Sequence, residues 1–290
     1  MNIPQEVKAK LIHYQQNEIT EYHIYKRLAK KVKSQHNAKV LESIAKEEMS
    51  HYSLFKKYSG KDVAPKWLKV FFYTFLARFL GLTFTIKLME QGEESAQQRY
   101  QNIKDYVAEA EEIIKDEFEH ERKLIDLLDE DMLKYMGSVV LGLNDALVEL
   151  TGALAGFTLA IQNTRLVGIL AGITGFAAAL SMAASEYLST KAEAEGKHPL
   201  KASVYTGLAY IVTVFLLILP YLFIANYYIA LIIALIIAVV IIAIFNYYIA
   251  VAKDMNFKKQ FLEMVIISLS VSAISFIIGL LVRKFFGIDI

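Results

Sequence analysis

The feature that most constrains this chain is a change in composition near Ser138. Residues 138–290 hold only nine Lys/Arg and eight Asp/Glu, whereas residues 1–137 hold 22 of each. The sparse part contains five apolar segments, at about 138–161, 166–189, 203–225, 227–251 and 263–283. Each can cross a hydrocarbon layer of roughly 30 Å at about 1.5 Å rise per residue. Inside lipid every backbone N–H and C=O must be satisfied within the segment, so the segments must be helices. A five-span transmembrane helical domain over 138–290 is the expectation, with a tight hairpin at 223–227 joining spans three and four.

Residues 1–137 read as a separate water-soluble domain. Apolar residues recur at helical spacing over 5–33, 35–58, 84–106 and 107–135, which predicts four amphipathic helices and an all-α chain. Ser59-Gly60-Lys61-Asp62 and Pro65 interrupt the series, and Gly137 marks its exit. An aromatic crossover at 65–86 separates the two pairs. Lys69 and Arg78 break its apolar run, and a crossing here would put the pairs on opposite sides of the bilayer. It is expected to lie at the membrane surface or along the bundle.

Composition excludes several functions. A net charge of +1 gives no basic field for nucleic acid. With no cysteine, disulfides, thiolate zinc sites and thiol catalysis are impossible. The first residues lack the apolar core of a secretory signal, which predicts a cytoplasmic N-terminus. Loop cations agree by six to three: Lys191, Lys197, Lys201, Lys253, Lys258 and Lys259 fall inside, Arg165, Arg283 and Lys284 outside.

The first domain carries a repeated motif. Glu48-Met49-Ser50-His51 and Glu117-Phe118-Glu119-His120 each place a carboxylate and an imidazole one turn apart on a helix. Upstream of each stands a carboxylate followed seven residues later by tyrosine: Glu18 with Tyr25, and Glu93 with Tyr100. Two helices giving Glu and two giving Glu-x-x-His is the ligand logic of di-iron carboxylate bundles. A solvated acidic face explains one such motif but explains two matched copies poorly. Over about 5–135 the chain resembles the rubrerythrin and ferritin-like family. That resemblance implies a ferritin-like four-helix bundle with Glu18, Glu48, His51, Glu93, Glu117 and His120 as metal ligands. Tyr25 and Tyr100 would orient the carboxylates. Glu21 and Glu90, one turn from proposed ligands, are accessory candidates. Glu47, Glu94, Glu119 and Glu121 are expected on the surface, and His13, His23 and His36 match no motif. Oxygen-rich ligation with one imidazole per ion suits Fe(II) or Mn(II), with zinc able to compete in vitro.

The membrane segments carry acids that lipid disfavours. Asp145 and Glu149 lie one turn apart on the first span, and Glu186 lies four residues after Met182 on the second. A structural acid capped by a hydroxyl such as Thr151 or Ser185 is the plainer alternative. Small residues crowd both spans, among them Gly152, Gly156, Gly168, Gly172 and Gly175, which predicts close helix approach. Asn144-Asp145-Ala146-Leu147-Val148-Glu149 and Ser181-Met182-Ala183-Ala184-Ser185-Glu186-Tyr187-Leu188-Ser189 resemble signatures of the vacuolar iron transporter family over about 138–288. The resemblance implies export of Fe(II), with Mn(II) as a second ion, in exchange for protons, by a homodimer whose path uses Asp145 and Met182.

One departure stands out. Plant and protist relatives carry an acidic helical insert between spans two and three, while here only Thr190 to Pro199 joins them. Metal gathering would pass to the bundle, as in prokaryotic proteins that fuse a ferritin-like domain to this transporter. The leading expectation is therefore a proton-coupled Fe(II) exporter of a prokaryotic plasma membrane, with Asp145, Glu149, Met182 and Glu186 lining the path. Its bundle captures, senses or oxidises iron. The rival is a membrane-anchored di-iron oxidase or peroxidase.

Overall fold

A computed structural model describes residues 3–32, 34–91, 103–126, 134–193, 196–253 and 255–286. Among them the chain is all-helical and divides into two compact units, Met1–Glu130 and Asp131–Ile290.

The first unit contains α1 (Gln5–Ala29), α2 (Gln35–Ser59), α3 (Trp67–Leu80), α4 (Leu82–Gln91) and α5 (Ala110–Asp126). Local chemistry sets the bounds of α2. The Ser34 hydroxyl accepts from the Asn37 amide at its start, and Gly60 takes the left-handed conformation, φ 66°, at its end. The apolar faces of α1 and α2 meet in a core of Ile24, Leu28, Leu41 and Ile44, to which α3 adds Val70, α4 adds Leu82 and Ile86, and α5 adds Leu124. Each such aliphatic group contributes about 1.5–3 kcal/mol on burial.

Two details differ from the sequence reading. The crossover divides at Gly81, φ 90°, where α3 stops. Beyond it Leu82, Thr83, Phe84, Thr85 and Ile86 are all buried, so the end of the apolar run belongs to the bundle interior. The expected helix 84–106 also fails at its end, because residues 103–109 form turns. Ile103 and Val107 are four apart, as on a helix face, but they enter a core with Leu11 and Phe55 from a turn. That turn is held by Tyr58, whose hydroxyl donates to Glu109 at 2.6 Å. The fourth helix accordingly begins at Ala110 rather than near 107.

The second unit contains α6 (Met136–Ile161), α7 (Thr164–Glu193), α8 (Pro199–Phe223), α9 (Tyr227–Lys253) and α10 (Phe257–Phe286). All five are long and apolar enough to cross a membrane. Three start at asparagine caps: Asn163, Asn226 and Asn256 each accept from an amide of the first turn. Contacts fix the directions. Ser138 meets Glu186 and Leu150 meets Gly175, so α6 and α7 are antiparallel. Ser138 meets Thr206 and Thr158 meets Tyr221, so α6 and α8 are parallel; Thr151 with Ser268 and Gly156 with Gly279 make α10 parallel to α6 as well. Successive crossings require this alternation.

The small residues work at particular crossings. A Cβ on Gly142 would stand 2.3 Å from the Thr206 carbonyl oxygen, and one on Gly279 2.4 Å from that of Gly156. Backbone therefore meets backbone where α6 crosses α8 and α10. Gly168, Gly172 and Gly175 of α7 face α8 rather than α6 alone, through Tyr221, Ile218 and Val214.

Candidate metal centre and membrane acids

In the first unit α1, α2 and α5 bring Glu18, Glu48, His51 and Glu117 together, with one ligand atom from each within 4.8 Å of all the others. Glu18, Glu48, His51 and His120 are only 1 to 4% exposed. The Nδ1 of His51 stands 3.7 Å from Glu18 Oε2, 3.8 Å from Glu48 Oε2 and 3.6 Å from Glu117 Oε1. Those separations are long for hydrogen bonds but fit groups around one ion. Bonds of roughly 2.0–2.2 Å hold their ligand atoms about 3–4 Å apart. The Nδ1 atoms of His51 and His120 and Oε2 of Glu48 are buried without a hydrogen bond, a costly arrangement that a cation would relieve. The donor set therefore fits a metal ion.

Glu48 faces two ways. While Oε2 belongs to the His51 group, Oε1 lies 3.2 Å from Nδ1 of His120. The two imidazoles stand 5.9 Å apart, centroid to centroid, on either side of this carboxylate. Their outer nitrogens are engaged too. His51 Nε2 pairs with Asp116 at 3.2 Å, and His120 Nε2 pairs with Glu47, which Lys123 also approaches. Each motif thus supplies the carboxylate behind the other motif's histidine, which fixes ring orientation and aims both Nδ1 atoms inward.

Burial sets the charge balance. Burial and the neighbouring Glu48 push Glu18 up to about 7. Glu48 itself stays below the usual carboxylate range, because His120 and His51 outweigh its burial and the repulsion of Glu117. For His51 and His120 burial favours the neutral ring, yet the surrounding carboxylates prevail. His51 lies far above its ordinary value, and His120 is raised to about 9. Without metal the cage holds protons that an ion must displace.

Of the other sequence candidates, Glu21 is buried but lies outside this group, lining a small cavity with Asn17, Lys69 and Tyr73. Tyr25 is buried in the α1/α2 core. Glu93, Tyr100 and the Glu90 side chain lie outside the described residues, as do Glu94 and the Glu121 side chain. Sequence reasoning placed Glu47 on the surface, whereas it is half-buried against His120; Asp116 it did not single out at all. One signal pointed to both: an acid stands directly before the glutamate of each Glu-x-x-His.

In the second unit the acids form two layers. Tyr210, fully buried on α8, donates to Glu149 at 2.7 Å, with Asp145 one turn away on the same helix face. Glu186 accepts from Ser138 at 2.5 Å and from Thr190 at 3.5 Å. Ser138 and Asp145 are seven residues apart on α6, so the layers lie about 10 Å apart along its axis. Met182 is half-buried against the helical core. The hydroxyls that meet the acids are Tyr210, Ser138 and Thr190 rather than Thr151 or Ser185. Thr151 instead donates to the Leu147 carbonyl, and Ser185 is exposed. The missed signal is the buried face of span three, where Thr206, Tyr210 and Thr213 recur at helical spacing.

Comparison with known proteins concerns this second unit. Residues 136–198 and 193–280 match the model of the VIT family, together 145 of 290 residues. The match divides at the short α7–α8 connection. No curated protein and no solved structure matches the chain. With half its length matched and five helices fit to span a bilayer, the chain belongs to the VIT family, which makes it a multi-pass membrane protein of metal-ion transport.

Proposed function

We propose that the protein is a proton-coupled exporter of Fe(II), with Mn(II) as a second substrate, and that Asp145, Glu149, Met182 and Glu186 line its path. The observation that carries this reading is the Asp145–Glu149–Tyr210 group within the part that matches the VIT family. Two carboxylates one turn apart on a span are too costly for an anchor. They suit a dehydrated cation and can return protons when it leaves. Glu149 is exposed on the single chain, where lipid would face it. A homodimer that shields this face answers the problem. In this reading residues 1–137 are a cytoplasmic ferritin-like domain that captures or senses iron, and 138–290 form the transporter of a prokaryotic plasma membrane.

Proteoliposomes test the proposal. Fe(II) flux should follow a pH gradient and collapse in Asp145→Asn/Met182→Ala, while the folded double variant still loads metal in its bundle. Undiminished flux in that variant, or none in the native protein, overturns it. A second reading has its own support: Glu48 faces both imidazoles, as a carboxylate shared by two ions would. The bundle would then oxidise Fe(II) and the spans would anchor it. Oxygen or peroxide consumption that needs Glu48 and His51, without transport, favours this reading.

A further inference from the structure

Helix α3 presents an apolar face that the bundle leaves uncovered. Its inner side buries Val70 and Thr74 against the core, with Tyr73 and Ala77 beside them. Trp67, Phe71, Phe75 and Phe79, spaced by four, form a stripe on the outer side, with Leu68 and Phe72 alongside; these six are 44 to 88% exposed. A helix that is wet on this side would not carry so many aromatic rings. At 14 residues α3 is about 21 Å long, too short to cross a bilayer, and Gly81 stops it from continuing into α4.

Charge identifies what covers the stripe. From Val63 to Met89 the chain has Lys66, Lys69, Arg78 and Lys87 but no acid. Arg27 of α1 stacks over Trp67 and Phe71, 4.9 Å from the latter ring centroid, and adds a cation at the rim. Exposed aromatic rings on a segment that carries cations and no acid of its own match the boundary between acyl chains and anionic headgroups, where rings enter and cations stay at phosphate level. The acid beside it, Glu21 of α1, is buried on the inner side near Lys69 and Tyr73. A second copy of the same face would set cation against cation. Reach is also short: nine residues, 127–135, link α5 to the first membrane-spanning helix, on the order of 30 Å when extended. The bundle cannot diffuse away from a bilayer.

We infer that α3 is an in-plane membrane helix that seats the N-terminal bundle on an anionic lipid leaflet through Trp67, Phe71, Phe72, Phe75 and Phe79. The seat is independent of which ion is transported.

Trp67 is the chain's only tryptophan, so the full-length protein carries its own reporter. It is reconstituted into nanodiscs of phosphatidylcholine with phosphatidylglycerol, with or without bromine high on the acyl chains. Tryptophan emission should be quenched by the brominated lipid and protected from iodide in solution. In Phe72→Glu/Phe75→Glu both effects should reverse, with helical content and metal loading of the bundle unchanged. Discs of phosphatidylcholine alone should weaken the quenching. Emission open to iodide and indifferent to bromolipid overturns the inference. Emission protected from both overturns it too, because a second copy or another protein then covers α3. Should the double variant misfold, the bromolipid and iodide results on the native chain decide the question alone.

Discussion

The two units handle carboxylates in opposite ways. In the bundle Glu18, Glu48 and Glu117 surround an imidazole at nearly equal distances, all held by helices packed over an apolar core. In the membrane unit Glu149 and Glu186 meet hydroxyls in two separate layers, Asp145 stands one turn from Glu149, and Glu149 is open to its surroundings. In the proposed reading the first arrangement suits retention, since Glu18, Glu48, His51 and Glu117 each turn a ligand atom to one place. In the same reading the second suits passage, since among the described residues neither layer gathers as many donors as the bundle's cluster. Affinity in one and throughput in the other should respond to different substitutions.

The sharpest contrast comes from Glu48→Ala, which removes the carboxylate shared by both imidazoles. Metal binding by the bundle should fall by more than the roughly 100-fold upper range of losses from outer partners. Titration calorimetry with Fe(II) or Mn(II) measures it, and pH-driven flux at saturating metal should persist. Next come Asp116→Asn and Glu47→Gln. Either should weaken binding by about 10–100-fold without removing a ligand, and equal losses from both would establish that the cross-bracing is reciprocal.

Asp145→Asn should reverse the pattern, cutting flux at least about tenfold, a barrier increase of ~1.4 kcal/mol, and leaving the bundle's affinity intact. Loss of bundle affinity in this variant would break the distinction between the units. Acidity gives a graded effect. Glu18 and His120 hold their protons more tightly when folded, so their contribution to the metal-free bundle is complete at low pH. It fades as pH rises through about 7 and then about 9. An ion must displace the same protons, so binding should strengthen over this range, by up to about tenfold per pH unit for each proton released. Calorimetry in buffers of different ionisation enthalpy counts those protons. The smallest effect is expected from Tyr210→Phe. Losing one hydrogen bond of about 1 kcal/mol should slow flux several-fold, with the helices in place.

Much of this architecture was legible in the sequence, because lipid and helical periodicity impose local rules. Five apolar runs had to become helices, and the spacing of Glu48 with His51 fixed a shared face whatever the tertiary arrangement. What escaped depends on contacts between distant segments. Asp116 supports His51 across 65 positions, and although an acid precedes the glutamate of each motif, nothing local says which distant ring it braces. Ile103 and Val107 carry a helical period but belong to a turn, because the core they enter is indifferent to how they reach it. Tyr210 looked like one more aromatic in a greasy span until α6 set Glu149 against it.

The exchange of props between the two histidine motifs has one further consequence. Because α2 carries the brace for the ring on α5, and α5 the brace for the ring on α2, neither half is poised by itself. Loading should switch on sharply as free metal rises, and a bundle parted at that seam should let its cargo go all at once.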